Sequence, residues 1–266
     1  MSETPMESDA VGDLHRPIGW RDVVAPIGVM AGLFVSFVLL MAIAILIAKL
    51  SCSHKTEIDG LMQQLKTGFW SNNLLGDLFY VALLAFLLPR GARLSPASLM
   101  GKFSPPPLKL LAAATALGAF FALLVITLVS QLVLRHAVQF HETARDRLLQ
   151  THSLLQLLAL FATVSVLAPL AEEIYFRNFL LSLLKRKFGL AVALVVSASL
   201  FALVHFQFID HPGVVGWVTT GLLFGLGLIN ALWVARTGLL WLAIASHAAY
   251  NSVLVVLPFA LLAVKF

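Results

Sequence analysis

Residues 154–187 read LLQLLALFATVSVLAPLAEEIYFRNFLLSLLKRK. A membrane-spanning helix needs about 20 mainly apolar residues. Leu154–Leu170 supplies most of one, and the apolar pattern continues past it to Lys185, Arg186 and Lys187. Glu172, Glu173 and Arg177 therefore stand inside an apolar helix. An ionisable residue in such a place costs about 2.5–3.5 kcal/mol on insertion scales, so each needs a partner or a cavity. Pro169 removes one backbone donor and crowds the turn before it, which predicts a kink just ahead of the acidic pair.

The rest of the chain has the same character. Of 266 residues, 60% are hydrophobic and 12% charged, with a mean hydropathy of +0.93. An ordinary soluble domain carries about 25% charged residues, so this chain reads as a membrane protein. Further runs long enough to span are Val24–Leu50, Leu110–Leu134, Gly189–Phe206, Val214–Val234 and Leu239–Val264, with a shorter one at Asn73–Leu88. The expected fold is all-α: a polytopic transmembrane bundle of about seven to eight spans. Residues 1–23 read as a polar N-terminal tail rather than a secretory signal, and residues 24–149 as N-terminal transmembrane helices. Between them, Ile58–Leu65 reads as a short interfacial helix. Glycines 221, 225 and 227 suit close helix packing.

Cys52 is the only cysteine. An intrachain disulfide, a CxxC redox pair and a cysteine zinc cluster are excluded. The net charge of +5 comes from loop residues such as Arg90, Arg93, Lys102, Lys185, Arg186, Lys187 and Arg236. By the positive-inside rule these loops point to a cytoplasmic N-terminus. The charge reads as topology, and no nucleic-acid partner is expected.

Polar residues within the spans concentrate in the second half: Glu172, Glu173, Arg177, His205, Asn230, His247 and Asn251. Glu172 and His205 flank the basic turn at Arg186–Gly189 at about 16 residues each, roughly 24 Å along a helix. In an antiparallel hairpin they meet at one level. His247 and Asn251 lie roughly 14–20 Å beyond the turn at Arg236–Gly238, on the same membrane side. Glu173 and Arg177 are i and i+4, as are Phe201 and His205, and His247 and Asn251. Glu172 and Glu173 point about 100° apart, so Glu173 can serve Arg177 while Glu172 faces a cavity.

Three motifs stand in order: Glu172-Glu173-Ile174-Tyr175-Phe176-Arg177, Phe201-Ala202-Leu203-Val204-His205 and His247-Ala248-Ala249-Tyr250-Asn251. Their order, spacing and placement on apolar helices resemble the CAAX-protease/bacteriocin-processing (CPBP, or Abi) family of intramembrane proteases. The resemblance covers about residues 150–255. It departs at Asn178, where the family often has Gly. It implies that residues 150–266 form a CPBP-like catalytic core in the C-terminal four helices.

The resemblance implies hydrolysis of peptide bonds in membrane-associated peptide or protein substrates. Glu172 would be general base on a water, with His205 holding that water. His247 and Asn251 would donate to the tetrahedral oxyanion, and Glu173–Arg177 would be a supporting ion pair. The family has also been described as metalloproteases, which makes zinc the candidate cofactor, with Glu172, His205 and His247 as candidate ligands. No His-Glu-x-x-His motif is present, and metal-assisted and metal-free mechanisms both stay open. The expected location is the cytoplasmic (inner) membrane, with the lipid bilayer as a partner and the oligomeric state open.

Plainer readings exist for each piece. Glu172 and Glu173 can mark the end of a span with Arg177 snorkelling. His205 can be a bundle histidine, and His247, Asn251, Asn230 and Asp77 inter-helix polar contacts. Two rival functions are a non-catalytic membrane scaffold or immunity protein of the same fold, and an ion- or proton-coupled transporter. A transporter predicts inverted repeats with broken helices in both halves, whereas the polar residues here fall in one half.

Overall fold

The computed structural model describes residues 19–51, 80–89, 103–136, 154–210 and 213–263. The expected interfacial helix at Ile58–Leu65, Asp77 and most of the N-terminal tail lie outside these residues. Every element among the described residues is helical. Helix α1 is Trp20–Ser51, α2 is Tyr80–Pro89 and α3 is Leu108–His136. Helix α4 comprises residues 154–188 and α5 residues 190–203. The two limbs are separated at Gly189, whose φ of 81° is outside the helical range. Helix α6 is Gln207–Asp210, α7 is Val214–Thr237 and α8 is Leu240–Ala263.

Local chemistry sets several boundaries. Helix α1 begins within the stretch read as polar tail, because Asp22 in its first turn accepts the Gly19 N–H at 2.8 Å. That bond satisfies a donor the helix start would leave free. Gly189 turns the chain with a backbone that L side chains rarely adopt, beside the exposed Lys185, Arg186 and Lys187. Gly238 ends α7 in the left-handed conformation, its N–H bonded to the Val234 carbonyl at 2.9 Å.

Three described helical stretches are long and apolar enough to cross a membrane: Leu108–Leu132, Val214–Thr237 and Leu240–Leu257. The fifth run, Gly189–Phe206, differs from expectation. Its helix stops at Leu203, so α5 is roughly 21 Å long, short of a hydrocarbon core about 30 Å thick. The chain then unwinds through Val204 and His205, and Phe206 takes a positive φ of 52°. Bulky residues are rarely found in that conformation, and such strain is characteristic of functional sites.

The bundle packs α8 against α3, and α7 against both α5 and α8. A Cβ at Gly118 of α3 would collide with the Ser246 backbone carbonyl of α8, so those two helices touch backbone to backbone. At Gly227 a Cβ would meet the Phe201 ring at 3.0 Å, and at Gly225 the Phe121 ring at 3.1 Å. Gly221 is exposed and faces open space, which corrects its expected packing role. Leu87, Ile174, Phe179, Leu183, Phe201, Leu226 and Leu240 are fully enclosed. Outward faces carry Leu108, Phe120, Val195, Leu203, Trp217 and Val256. An apolar exterior of this extent matches lipid rather than water.

Candidate active site

Helix α4 carries the acidic pair through two departures from regular α geometry. Residues Thr163–Leu167 form a π turn, in which the Ala168 N–H bonds the Thr163 carbonyl. The next donor in that register would be residue 169, which is proline and has no N–H. The Val164 carbonyl is left without a backbone donor, and Asn251 Nδ2 from α8 reaches it at 2.7 Å. The kink expected at Pro169 is thus realised as a widened turn, and Asn251 completes it from the neighbouring helix.

A second π turn, Ile174–Leu180, follows the acidic pair directly and contains Arg177 and Asn178, both buried. It closes with the Leu181 N–H on the Phe176 carbonyl. Single π turns inside α-helices recur at functional sites.

Glu173 and Arg177 form an ion pair at 2.9 Å, with both side chains fully buried. Arg177 Nη1 donates to Ser197 Oγ at 3.2 Å, and its guanidinium lies 4.9 Å from the Phe201 ring centroid. Glu173 is more than an ion-pair partner. Its Oε1 also accepts Asn230 Nδ2 at 3.2 Å and meets His247 Nδ1 at 3.1 Å. The expected Glu173–Arg177 pair is therefore the centre of a five-residue network across α4, α5, α7 and α8. Asn230, expected as an inter-helix contact, is one of its donors.

Glu172 faces the opposite way. Tyr80 of α2 donates its O–H to Glu172 Oε1 at 2.8 Å. Glu172 Oε2 stands 3.6 Å from His205 Nε2 and 3.9 Å from His247 Nε2. The ring orientations have local causes. His205 Nδ1 lies 2.7 Å from the Phe201 carbonyl, which can only accept, so Nδ1 carries a proton. His247 Nδ1 meets the Glu173 carboxylate, with the same consequence. Both Nε2 atoms are thereby turned toward one carboxylate oxygen.

Phe201 fixes both rings. Its centroid is 4.8 Å from that of His205 and 5.3 Å from that of His247. The structure thus brings together Glu172, His205 and His247, places Glu173 and Arg177 immediately behind them, and holds Asn251 on the Val164 carbonyl. His205 sits in the turn after α5 rather than inside a helix.

Two cavities meet at His205. One of about 540 Å³ is almost wholly apolar, lined by Trp20, Val23, Ile27, Leu83, Phe176 and Leu200 among others, with Tyr80, Glu172 and His205 at its polar end. The other, of about 260 Å³, is lined by Gln207, Thr219, His247, Asn251 and His205 together with apolar residues of α3 and α7.

The three candidate zinc ligands converge on one point. Tetrahedral zinc at about 2.0–2.1 Å from each donor sets neighbouring donors roughly 3.3–3.4 Å apart, a few tenths of an ångström inside the 3.6 and 3.9 Å seen here. Among the described residues no group of three or more His, Cys, Asp and Glu side chains is arranged to hold a metal ion. The chemistry below uses the chain's own groups.

A half-buried carboxylate facing two imidazoles, at the polar end of an apolar cavity, gives the site its chemical character. The family model described as Type II CAAX prenyl endopeptidase Rce1-like matches residues 154–253, which span all three motifs. Over that segment the chain is similar to CAAX-type intramembrane proteases, and with its apolar helices it is an integral membrane protein. No curated protein and no solved structure matches the chain.

Sequence reasoning missed Tyr80, whose partner is 92 positions away. It also gave Phe201 no role beyond its spacing from His205. A signal for Tyr80 existed: Leu83, Leu84 and Leu87 follow it at i+3, i+4 and i+7, the pattern of one helix face. All three are buried.

Proposed function

We propose that this chain is an endopeptidase that cleaves membrane-associated or membrane-proximal peptides with a water activated by Glu172. The observation that supports it most is Glu172 Oε2 facing the Nε2 atoms of His205 and His247 at 3.6 and 3.9 Å. Those separations leave room for one small molecule bridging the groups. A water there would donate one proton to Glu172 Oε2 and be oriented by His205. Its oxygen attacks the substrate carbonyl carbon as Glu172 takes the proton.

The carbonyl oxygen then carries negative charge. His247 donates to it from Nε2, with the Glu173 carboxylate holding the ring through Nδ1. One Asn251 N–H is taken by the Val164 carbonyl, and the other is the second donor. Collapse breaks the C–N bond as Glu172 returns its proton to the leaving amine. The Glu173–Arg177 pair keeps α4 in register.

The apolar cavity suits a large hydrophobic group on the substrate, such as the prenyl group in the family's description. The cavity on the Thr219 side suits water entry. From the Lys/Arg bias of the loops we put the N-terminus in the cytoplasm and the protein in the inner membrane.

The test is cleavage of quenched-fluorescence peptides in proteoliposomes, with and without a farnesyl group. Wild type is compared with Glu172→Ala, His205→Ala and His247→Ala, each with and without chelator. Loss of cleavage in all three variants with folding intact is the expected result, with activity surviving chelator. Cleavage persisting in the variants would place the activity elsewhere, and chelator sensitivity would return zinc to these three residues.

A further inference from the structure

We infer that Tyr80, from outside the family-matched segment, is a positioning residue that fixes which oxygen of Glu172 faces the two histidines. The inference rests on the reading of Glu172 as the reacting carboxylate and extends the site into the N-terminal half of the chain. Two oxygens of a carboxylate are equivalent until the surroundings distinguish them. Here the Tyr80 O–H occupies Oε1 at 2.8 Å, while Oε2 has no hydrogen-bond donor among the described residues. Oε2 is the atom that stands between His205 and His247. A side chain with three rotatable bonds in a cavity of about 540 Å³ has space to swing away. The phenol removes that freedom at the end nearest the lipid-like wall.

Tyr80 is itself anchored. Leu83, Leu84 and Leu87 on the same face of α2 are buried in the core, so the phenol arrives on a docked helix. Tyr175 lines the same cavity, but its hydroxyl donates to the Val23 backbone carbonyl at 3.2 Å. The two phenols therefore share surroundings and differ in partner, which separates positioning of Glu172 from general packing.

The experiment uses the full-length protein in proteoliposomes of neutral phospholipid. Dicyclohexylcarbodiimide, an apolar reagent for carboxyl groups, is the probe. Adduct formation at Glu172 is followed by mass spectrometry in wild type, Tyr80→Phe and Tyr175→Phe. Removing the Tyr80 hydroxyl frees Oε1 for the reagent, so the labelling rate should rise at least threefold in Tyr80→Phe and stay at the wild-type value in Tyr175→Phe. Cleavage of the farnesylated peptide should show kcat lowered about 10- to 100-fold in Tyr80→Phe, the worth of a hydrogen bond to a charged group, with KM within twofold. Unchanged labelling in Tyr80→Phe, or an equal rise in both variants, would overturn the inference. A wild type that cleaves no peptide while the labelling contrast holds would count against the protease reading and leave the Tyr80 contact established.

Discussion

Glu172 and Glu173 are neighbours in sequence, yet they serve two regions of opposite character. Around Glu173 the protein is closed. Its carboxylate and the Arg177 guanidinium have no solvent exposure, and Asn230 and His247 complete the surroundings. Around Glu172 the protein is open, with a cavity on one side and, on the other, an oxygen without a hydrogen-bond donor among the described residues. The 100° between successive helical residues is enough to send one carboxylate into the scaffold and the other toward chemistry. His247 joins the regions, with Nδ1 on the closed side and Nε2 on the open side. The buried ion pair ties helices together, and the carboxylate beside it turns one oxygen toward the two histidines.

This contrast can be broken by isosteric changes at the two positions. The largest expected effect is at Glu172→Gln: cleavage falls by about 10³-fold or more, as the general base is lost. Thermal melting stays close to wild type because the open side carries little of the packing. Glu173→Gln should show the reverse emphasis. Removing one partner of a buried ion pair leaves Arg177 uncompensated at about 3–5 kcal/mol. A large drop in melting temperature in detergent checks this, with activity falling in step.

Smaller effects sharpen the picture of how the frame is built. Asn251→Ala should cost about 1–3 kcal/mol, since the Val164 carbonyl loses the donor that α8 supplies. In a Pro169→Ala background a backbone N–H returns at residue 169, and the same Asn251→Ala change should cost less. A double-mutant cycle on melting reads that difference. At the end of the scale are two glycines on one helix. Gly227→Ala presses a methyl group against Phe201, the ring that fixes both histidines, and should lower kcat several-fold. Gly221→Ala meets nothing within 4 Å and should leave stability and cleavage unchanged.

Much of the site was legible in the sequence because its residues sit at fixed helical spacings. Glu172, Glu173 and Arg177 are out of place in an apolar run, and counting from the basic turn put His205 at the level of Glu172. The long apolar runs at α3, α7 and α8 were equally plain. Other features were hidden for physical reasons. His205 and Gln207 interrupt the apolar run after Leu203, but polar residues also occur inside these spans, so composition alone did not place the end of α5 at Leu203 or the strained Phe206. The two π turns change hydrogen-bond register without changing residue type. Pro169 was visible, but its effect on the Val164 carbonyl depends on which register the turn adopts, and Asn251 was read as an oxyanion donor or a general inter-helix contact without that carbonyl as its partner. Tyr80 was obscured by tertiary packing, since a lone tyrosine in a span has no pattern that names its partner.

The most direct test compares wild type with Glu172→Gln in proteoliposomes, following release of the C-terminal fragment from a farnesylated quenched-fluorescence peptide, with melting curves taken on the same preparations. The expected result is turnover by wild type, loss of about 10³-fold or more in the variant, and melting temperatures that agree. A variant that still cleaves, or that loses activity only because it no longer folds, would contradict the assignment of Glu172 as the reacting carboxylate.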